Sequence, residues 1–439
     1  MRPGDPVVHP RFGPGAVIAI VAGGRARVRF FNQPALPRTV PIAELAPNGQ
    51  QAVATPTASL RVAPPPPMGE EQVRLRQVIE ALRLGVVPSS HLKDYTVGRD
   101  RSLQQVEEML VRGQGMQLVF ADYGVGKTHF LDLVEQQALA SGFLTSRITL
   151  DIHETPLSHP QRLWRAIVCS LRYPGEGGQG IVPLFERLRH SLDHAHPKGE
   201  QFHRFLSPAL WAFHRGDGDE WGWLQDYIEG YPMDPADVNR VLRHLGWPGE
   251  RALALSDFRT YGRMYVYMVG GLASWAKDAG FRGLCLLFDE AEHVGSLDSR
   301  QVALAEEVIR HYAAATLPLE ELVFDPEQLY RGGHAVHRTL PLQHRPDQPL
   351  VVLVALTLEP AILQMCAQMV RKRGIELEPL SARERRELVK RLTRLYQKAY
   401  GLEGSPEYVL SRPPEWYQSP RELVRELIAK LDDLRYTEP

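Results

Sequence analysis

Residues 116–131 have the sequence MQLVFADYGVGKTHFL, and this stretch decides the fold. An apolar run from Met116 to Ala121 predicts a buried strand, and the glycines after it predict a tight loop. The residues that follow have the apolar spacing of a helix, and Phe143 to Ile152 is a second predicted strand. Strand, loop, helix and strand in this order are typical of a parallel sheet, so the sequence predicts an α/β fold.

The loop in this stretch has the chemistry of a phosphate-binding loop. Residues 121–128, ADYGVGKT, match the pattern GxxxxGK[ST] except at the first position, where Ala121 replaces glycine. Glycines let main-chain N–H groups surround phosphate oxygens, the lysine adds a positive charge, and the threonine hydroxyl can ligate Mg²⁺. A simple glycine turn is the alternative, which the flanking strand and helix disfavour. The predicted ATP-binding residues of the loop are Tyr123, Gly124, Val125, Gly126, Lys127, Thr128 and His129.

A second motif lies at residues 284–290, LCLLFDE, an apolar strand that ends in two carboxylates. Ligands of parallel sheets bind at the carboxyl ends of the strands, so we expect Asp289 to hold Mg²⁺ and Glu290 to polarise the attacking water. A strand followed by an acidic helix N-terminus is the alternative. Residues 289–292 also resemble the acidic box of DEAD-type helicases. Only about 150 residues follow this box, too few for the second core that a self-contained helicase needs.

Together the two motifs resemble the ATP site of AAA+ proteins, and the resemblance implies further catalytic residues. A predicted strand from Leu350 to Leu356 ends in Thr357, where it implies a polar residue that orients the attacking water. Arg371 and Arg373 precede a short predicted strand at 375–377, where it implies an arginine that reaches the γ-phosphate of a neighbouring subunit. A plain polar strand end and a solvated basic helix end are the respective alternatives.

Two more segments resemble the parts of AAA+ proteins that surround the nucleotide from other sides. Ser419-Pro420-Arg421 resembles the second-sensor arginine of the lid, which implies that Arg421 contacts the nucleotide. Thr96-Val97-Gly98-Arg99 resembles the VGR segment that packs near adenine, which implies contacts from Val97 and Gly98.

The chain of 439 residues is long enough for several domains. Residues 1–48 contain short strand patterns separated by glycines and predict a small all-β barrel. Residues 49–69 include four consecutive prolines and predict an extended linker. Residues 70–380 form the predicted ATPase core, with a helical insertion at about 155–280, and residues 381–439 have the spacing of a helical lid.

The formal net charge of −1 gives no overall attraction to nucleic acid, so a DNA contact must come from a local patch. Residues 1–50 offer one, because their charges are Arg2, Arg11, Arg25, Arg27, Arg29 and Arg38 against Asp5 and Glu44. A barrel whose arginines simply face water is the alternative. Between the acidic strand and Leu350, His334, His337 and His344 have few carboxylates nearby. Their neighbours Arg331, Arg338 and Arg345 fit a loop that contacts DNA or a partner better than a metal site.

The sequence has no run of about 18 apolar residues and no apolar N-terminal stretch of the signal-peptide type. We therefore predict a cytoplasmic protein without a membrane span. Cys169, Cys285 and Cys366 each lie in an apolar run without a CxxC motif, which predicts buried free thiols.

Several flanking segments narrow the family: ALRLGVVP at 81–88, VGR at 97–99, GKTHFL at 126–131, ETPL at 154–157 and FDEAE at 288–292. Together they resemble the ATP-binding proteins of BREX-type bacteriophage-defence systems, of the BrxD-like kind, over residues 70–439. Ala121 and the extra N-terminal domain depart from that pattern. Residues 4–17, GDPVVHPRFGPGAV, resemble the start of Tudor-like or CarD-like barrels. That resemblance implies docking to RNA polymerase or to a helicase, with direct DNA binding as the alternative.

The leading hypothesis is an AAA+ ATPase that binds and hydrolyses ATP with Mg²⁺ and forms a homo-oligomer. It would act on DNA or on a DNA-processing partner in bacterial defence against phage. One alternative is a nucleotide-gated signalling switch of the STAND type, which binds ATP tightly and turns over slowly. A loader of a separate helicase is the other.

Overall fold

The computed structural model describes residues 2, 5–10, 12–21, 24–30, 37–47, 69–88, 90–175, 178–255, 262–291, 297–330, 339–371, 374–402 and 410–437. The predicted linker at 49–69 lies outside the described residues except for Gly69. The chain divides into two compact units. The first unit consists of Met1–Pro64, Trp164–Leu171 and Gly178–Asp257, and the second unit of Pro65–Leu163, Arg172–Gly177 and Phe258–Pro439.

In the second unit, helices separate the successive strands along the chain. The strands are β1 (Pro6–His9), β2 (Gly13–Val21), β3 (Arg25–Phe30), β4 (Arg38–Pro41), β5 (Ala46–Pro47), β6 (Gly115–Phe120), β7 (Leu144–Thr149), β8 (Leu284–Asp289), β9 (Leu350–Leu356) and β10 (Ile375–Glu376). The helices are α1 (Glu70–Arg83), α2 (Leu92–Tyr95), α3 (Asp100–Arg112), α4 (Lys127–Ala140), α5 (Pro160–Cys169), α6 (Val182–Arg187), α7 (Leu192–Ala195), α8 (Leu206–Arg215), α9 (Gly218–Ile228), α10 (Pro235–His244), α11 (Gly262–Asp278), α12 (Ser299–Thr316), α13 (Pro360–Ala367), α14 (Ala382–Tyr400) and α15 (Pro420–Thr437). Within the described ranges, no helix combines the length and the apolar character needed to cross a membrane.

The first unit contains an antiparallel sheet with the strand order β4-β3-β2-β1-β5. Along β3 the side chains alternate, since Ala26, Val28 and Phe30 are buried and the arginines between them are not. The buried residues pack with Val17 and Val40 in one apolar cluster. The predicted β-strands at the N-terminus are therefore confirmed as an antiparallel sheet.

The helical insertion lies mostly in the same unit, and local capping sets where its helices begin. The Asp217 carboxylate accepts hydrogen bonds from the N–H groups of Asp219 and Glu220, and the Glu220 carboxylate accepts one from Asp217 N–H. This reciprocal pair is a capping box at the start of α9. The indole of Trp164 is fully buried and donates to the carbonyl of Ile228 at 2.7 Å, which joins α5 to α9.

The second unit contains a five-stranded parallel sheet with the order β10-β6-β9-β8-β7. Strands β8 and β9 are buried along their whole length, as expected for parallel strands that are covered on both faces. Strand β9 lies between β6 and β8, and Phe120 is paired with Leu356. The carboxyl ends of the strands therefore meet at one edge, where the glycine loop, Thr357 and the two carboxylates follow. The predicted parallel α/β sheet is confirmed.

Two apolar clusters of the second unit support this edge. One packs α3 and α4 against the sheet and includes Val106, Phe130 and Leu353. The other joins α1, α2, α14 and α15 and includes Ile79 and Leu392. The helices after residue 381 thus pack with α1, which precedes the glycine loop in the chain.

Candidate nucleotide-binding site

The glycine loop between β6 and α4 has the backbone that its sequence requires. Gly124 and Gly126 have φ angles of +79° and +109°, a region that favours glycine because it lacks a Cβ. Helix α4 begins at Lys127, so the loop leads into a helix N-terminus, whose N–H groups attract anions. Ala121 is not among the described residues with a positive φ. The missing first glycine is therefore not needed for the backbone at that position.

Asp289 ends β8 and is nearly buried, with 2% of its surface exposed. Its Oδ2 accepts a hydrogen bond from Arg147 Nη2 at 2.8 Å, and its Oδ1 accepts one from the N–H of Glu290 at 3.0 Å. The same Arg147 nitrogen donates to the carbonyl oxygen of Thr128 at 3.4 Å. The glycine loop and the acidic strand are therefore brought together around one arginine.

Arg147 also bonds to Asp132 of α4 through its other terminal nitrogen. Burial lowers the pKa of Arg147, but the attraction of Asp132 and Asp289 outweighs burial and leaves that pKa raised. Burial raises the pKa of Asp132 to about 6, although Arg147 opposes the shift. These three side chains form a charged cluster directly below the loop.

Glu290, the predicted base, is exposed and has a φ of 58°. For a residue with a side chain this left-handed conformation is strained, by an amount on the order of 1 kcal/mol. Strained backbone of this kind clusters at functional positions.

Thr357 follows β9, between the glycine loop and the acidic strand. Its Oγ1 is buried and has no hydrogen-bond partner within the described part of the protein. Buried hydroxyl groups are normally bonded, so this one needs an explanation. Arg371 lies elsewhere, since its Nε donates to the carbonyl of Leu322 at 3.0 Å. Arg373, the other predicted trans arginine, lies outside the described residues, as do His334, His337, Arg331 and Arg338.

A cavity of about 430 Å³ in the second unit contains most of the predicted site. All seven loop residues from Tyr123 to His129 line it, and so do Val97, Asp289, Glu290 and Arg421. Gly98, Thr357 and Arg371 do not line it. The structure thus brings together the two motifs, Arg421 of α15, and Val97 and Arg99 of the VGR segment.

A further group of lining residues, most of them apolar, was not predicted from the sequence. Its members are Leu82, Gly85, Val86, Val87, Tyr95, Thr96, Leu380, Leu388 and Val424. These residues come from α1, α14, α15 and the segments beside them, and a cavity of mixed apolar and polar lining is typical of small-molecule sites. The signal for Val86 and Val87 was their position between two helices. For Leu388 and Val424, helical periodicity predicted an apolar helix face but not that this face lines the cavity.

The residues at the start of α15 lie close to two glycines. A Cβ added at Gly124 would lie 3.1 Å from Cβ of Ser419, and one added at Gly85 would lie 3.2 Å from Nε of Arg421. The segment that opens α15 therefore approaches both the phosphate loop and the turn after α1. Gly98 has a different role, since a Cβ there would lie 2.3 Å from Oε1 of Glu384. Its place in the VGR segment is explained by packing against α14.

Arg99 is the member of the VGR segment that contacts the loop directly. Its guanidinium is 5% exposed and donates to the carbonyl oxygens of Val125 at 2.8 Å and Glu378 at 3.0 Å. Burial lowers the pKa of Arg99, partly opposed by Glu384. The sequence signal was present, because the arginine was part of the VGR segment, but only Val97 and Gly98 were predicted as contacts.

His129 lies at the first turn of α4, behind the loop. Its Nε2 is 2.8 Å from Oγ1 of Thr96, whose hydroxyl hydrogen is donated to the carbonyl of Leu92 at 2.6 Å. A hydroxyl has one hydrogen, so the ring must donate here and carries its proton on Nε2. Burial, with a further effect of Arg99, lowers the pKa of His129 to about 4.

The oxygen groups at this edge fit Mg²⁺. A threonine hydroxyl and a carboxylate are hard oxygen ligands, and Mg²⁺ in nucleotide sites uses few protein ligands together with phosphates and water. Within the described residues no three His, Cys, Asp or Glu side chains converge as a metal cage. Thr128 and Asp289 both line the cavity, so the hydroxyl and the carboxylate belong to one site.

The first unit holds one of the predicted DNA-binding arginines in an internal contact. Arg27 forms an ion pair with Glu229, in which the two side chains are 15% and 6% exposed. Its guanidinium also lies 5.9 Å from the ring centre of Tyr231, whose hydroxyl donates to the carbonyl of Pro37 at 2.8 Å. Arg25 and Arg29 remain exposed. Strand β3 is thus joined to the segment after α9 by an arginine that contacts protein.

The cysteines are free, as predicted. Cys285 and Cys366 are buried and Cys169 is half-buried. Burial raises the pKa of Cys169 and of Cys366 to about 12, so both thiols stay protonated near neutral pH. The remaining basic loop residue, Arg345, pairs with Asp278 at 2.8 Å.

A parallel α/β sheet with a glycine loop, a lysine at the helix start and an acidic strand end defines a nucleotide-binding class of protein. Within that class, residues 71–188 match the sequence model of a family described as BREX system ATP-binding protein BrxC/D. The match confirms the resemblance to BREX ATP-binding proteins over these residues. No curated protein and no solved structure matched the chain.

Proposed function

We propose that this protein is an AAA+ ATPase of a BREX-type defence system, which binds ATP between the glycine loop and the lid and hydrolyses it with Mg²⁺. The observation that carries the proposal is the single cavity of about 430 Å³ that collects the loop, Asp289, Glu290 and Arg421. The similarity to BREX ATP-binding proteins supports both the nucleotide and the defence role.

Each residue has a role that follows from its position. The N–H groups of the loop and Lys127 bind the phosphates, and Arg421 approaches from the lid. Thr128 and Asp289 hold Mg²⁺, which supplies charge neutralisation for the phosphates when bound. Glu290 orients and polarises the attacking water. Thr357, one strand away on β9, orients that water from the other side, which would give its unpartnered hydroxyl a bond.

The proposed partner is DNA or a DNA-processing protein, and the proposed active form is a homo-oligomer. The exposed Arg25 and Arg29 support a contact of the N-terminal barrel with a nucleic acid or with an acidic partner, such as a helicase or RNA polymerase. An oligomer would bring Arg371 or Arg373 to the site of a neighbouring subunit. Mixing Arg371→Ala or Arg373→Ala protein with Glu290→Gln protein tests this, because shared sites make turnover of the mixture differ from the sum of its parts.

The first experiment is the steady-state ATPase rate, with and without single- and double-stranded DNA, measured together with the mass in solution with ATP. Lys127→Ala is expected to lose ATP binding, because it removes a positive charge from the phosphate site, and its thermal unfolding should stay that of the wild type. Lys398→Ala, an exposed lysine on α14 outside the cavity, is the matched control. Full ATPase activity of Lys127→Ala would show that the site lies elsewhere.

A nucleotide-gated signalling switch is the second candidate. The burial of Arg27 against Glu229 favours it, because that pair removes one arginine from the basic patch of the barrel. A slow turnover that DNA does not change, with a change of mass on ATP binding, would support the switch. Strong stimulation by DNA would support a motor or a helicase loader instead.

A further inference from the structure

Arg147 is a charged residue in the buried strand β7, and it contacts three groups of the candidate site. Its Nη2 lies 2.8 Å from Oδ2 of Asp289 and 3.4 Å from the carbonyl oxygen of Thr128. Its Nη1 is bonded to Asp132. The side chains of Arg147, Asp132 and Asp289 are 18%, 16% and 3% exposed. One guanidinium therefore bridges two carboxylates, and one of these is the expected Mg²⁺ ligand.

The charges at this place conflict with those of a bound metal. A carboxylate as buried as Asp289 is costly unless a cation lies beside it, and the salt-bridge partner found within the described residues is Arg147. Mg²⁺ on the same carboxylate would place two further positive charges next to the guanidinium. Arg147 and the metal therefore compete for Asp289.

Asp132 gives the guanidinium of Arg147 a second carboxylate partner. It lies on α4 and bonds to Nη1 of Arg147, whereas Asp289 bonds to Nη2. If the bond to Asp289 is released, Arg147 still keeps a carboxylate partner and does not become an unpaired buried charge.

We propose that Arg147 is a positioning residue that neutralises Asp289 when no metal is bound and yields this carboxylate to Mg²⁺ when ATP and the metal arrive, while it stays paired with Asp132. The proposal rests on the ATP-binding function proposed above. It gives Arg147 control over the Mg²⁺ concentration at which the site is filled.

The test is a titration of MgCl₂ in the presence of a fluorescent, non-hydrolysable ATP analogue, followed by fluorescence anisotropy of the bound analogue. Arg147→Met removes the competing charge and should lower the half-saturating free Mg²⁺ concentration about tenfold. Asp132→Asn removes the second partner, so Arg147 holds Asp289 more tightly and the half-saturating concentration should rise about tenfold. A merely structural role would move both variants in the same direction.

Two further variants complete the design. Arg147→Lys keeps the charge and should lie near the wild type. Arg172→Met removes an arginine that pairs at 3.4 Å with Glu135, a residue of α4 like Asp132. This variant should leave the Mg²⁺ dependence unchanged.

The outcomes separate the two proposals. Failure of the wild type to bind the analogue at any Mg²⁺ concentration would overturn the ATP-binding function and this inference with it. Binding by the wild type with equal Mg²⁺ dependence in Arg147→Met and Asp132→Asn would overturn this inference alone. Where Arg147→Met does not fold, Asp132→Asn decides, because an unchanged or lowered requirement for Mg²⁺ contradicts the proposal.

Discussion

Arg99 and Val125 are joined by a hydrogen bond of 2.8 Å, from a buried guanidinium to a main-chain carbonyl of the glycine loop. The same guanidinium donates to the carbonyl of Glu378, which follows β10. A residue at the start of α3 therefore fixes the phosphate loop to a segment that comes about 250 residues later in the chain.

Removal of this arginine should loosen the loop. Arg99→Met leaves the buried carbonyl oxygen of Val125 without this donor, so we expect a loss of about 2 kcal/mol in the free energy of unfolding and an ATP affinity about tenfold weaker. Urea denaturation and calorimetric binding measure the two effects. Arg101→Met changes an exposed arginine on the same helix and should alter neither. Unchanged ATP affinity in Arg99→Met would show that the loop holds its shape alone.

The strained backbone of Glu290 predicts opposite effects on stability and turnover. Glu290→Gly relieves the positive φ and should stabilise the protein by about 1 kcal/mol, while kcat falls by about 10²-fold or more because the base is lost. Glu290→Ala removes the same carboxylate but keeps the strain, so it should lose turnover without gaining stability. Glu290→Gln should bind ATP without turnover. Hydrolysis that survives in all three would place the base elsewhere.

The unpartnered hydroxyl of Thr357 can be tested by a change that keeps its shape. Thr357→Val removes the buried Oγ1, so the free energy of unfolding should stay equal or rise by about 1 kcal/mol. If the hydroxyl orients the attacking water, kcat should fall about 10²-fold with little change in KM. Thr149→Val, at the end of β7, serves as the strand-end control. A normal kcat in Thr357→Val would mean that Thr357 is only a polar residue at the end of a strand.

The ion pair between Arg27 and Glu229 should stabilise the first unit. Arg27→Met leaves a buried carboxylate unpaired and should lower the free energy of unfolding by about 3 kcal/mol, whereas the double change with Glu229→Gln should lose less than the two single changes added together. Urea denaturation of the wild type, the two single variants and the double variant gives the coupling free energy between the two residues. Arg29→Met, on the same strand but exposed, should have little effect. Additive losses would contradict a direct interaction of the pair.

The neutral ring of His129 predicts an acid sensitivity. Its pKa is about 4 in the folded protein and about 6.5 in an unfolded chain, so the unfolded state binds more protons between these two values. Stability from this residue is fully present above pH 6.5 and is lost as the pH falls toward 4, by about 3 kcal/mol at most. His129→Gln should reduce the difference in unfolding free energy between pH 7.5 and pH 4.5. An unchanged difference would mean that other groups cause the acid sensitivity.

The strands and the glycine loop could be predicted because their signals are local. Apolar runs that end in glycines or carboxylates gave β6, β8 and β9 within a residue at each end, since a parallel buried strand needs a continuous apolar stretch. The loop residues from Tyr123 to His129 lie together because they are neighbours in the chain. Asp289 and Arg421 line the same cavity as the loop, and each belongs to a motif whose spacing to a strand or helix end is fixed.

The unpredicted parts depend on contacts between distant segments. The apolar lining by Leu82, Leu388 and Val424 arises where α1 meets α14 and α15, and helical periodicity shows that each helix has an apolar face without showing which partner it meets. The pair of Arg27 and Glu229 joins residues 202 positions apart. Arg147 left one signal that could have been used, because an arginine inside a buried parallel strand needs a carboxylate partner.

The strand order β10-β6-β9-β8-β7 has a consequence for fragments of this protein. Strands β6 and β7 both lie within residues 71–188, the segment that matches the BREX family model, and yet they do not pair with each other. Among the described residues, the strands that pair with β6 both lie at or beyond Leu350. A chain cut anywhere before that residue would carry the whole glycine loop on a strand with no neighbour to bond to. The segment that matches the family model therefore does not contain the strands that pair with β6, which come from residues 350–376.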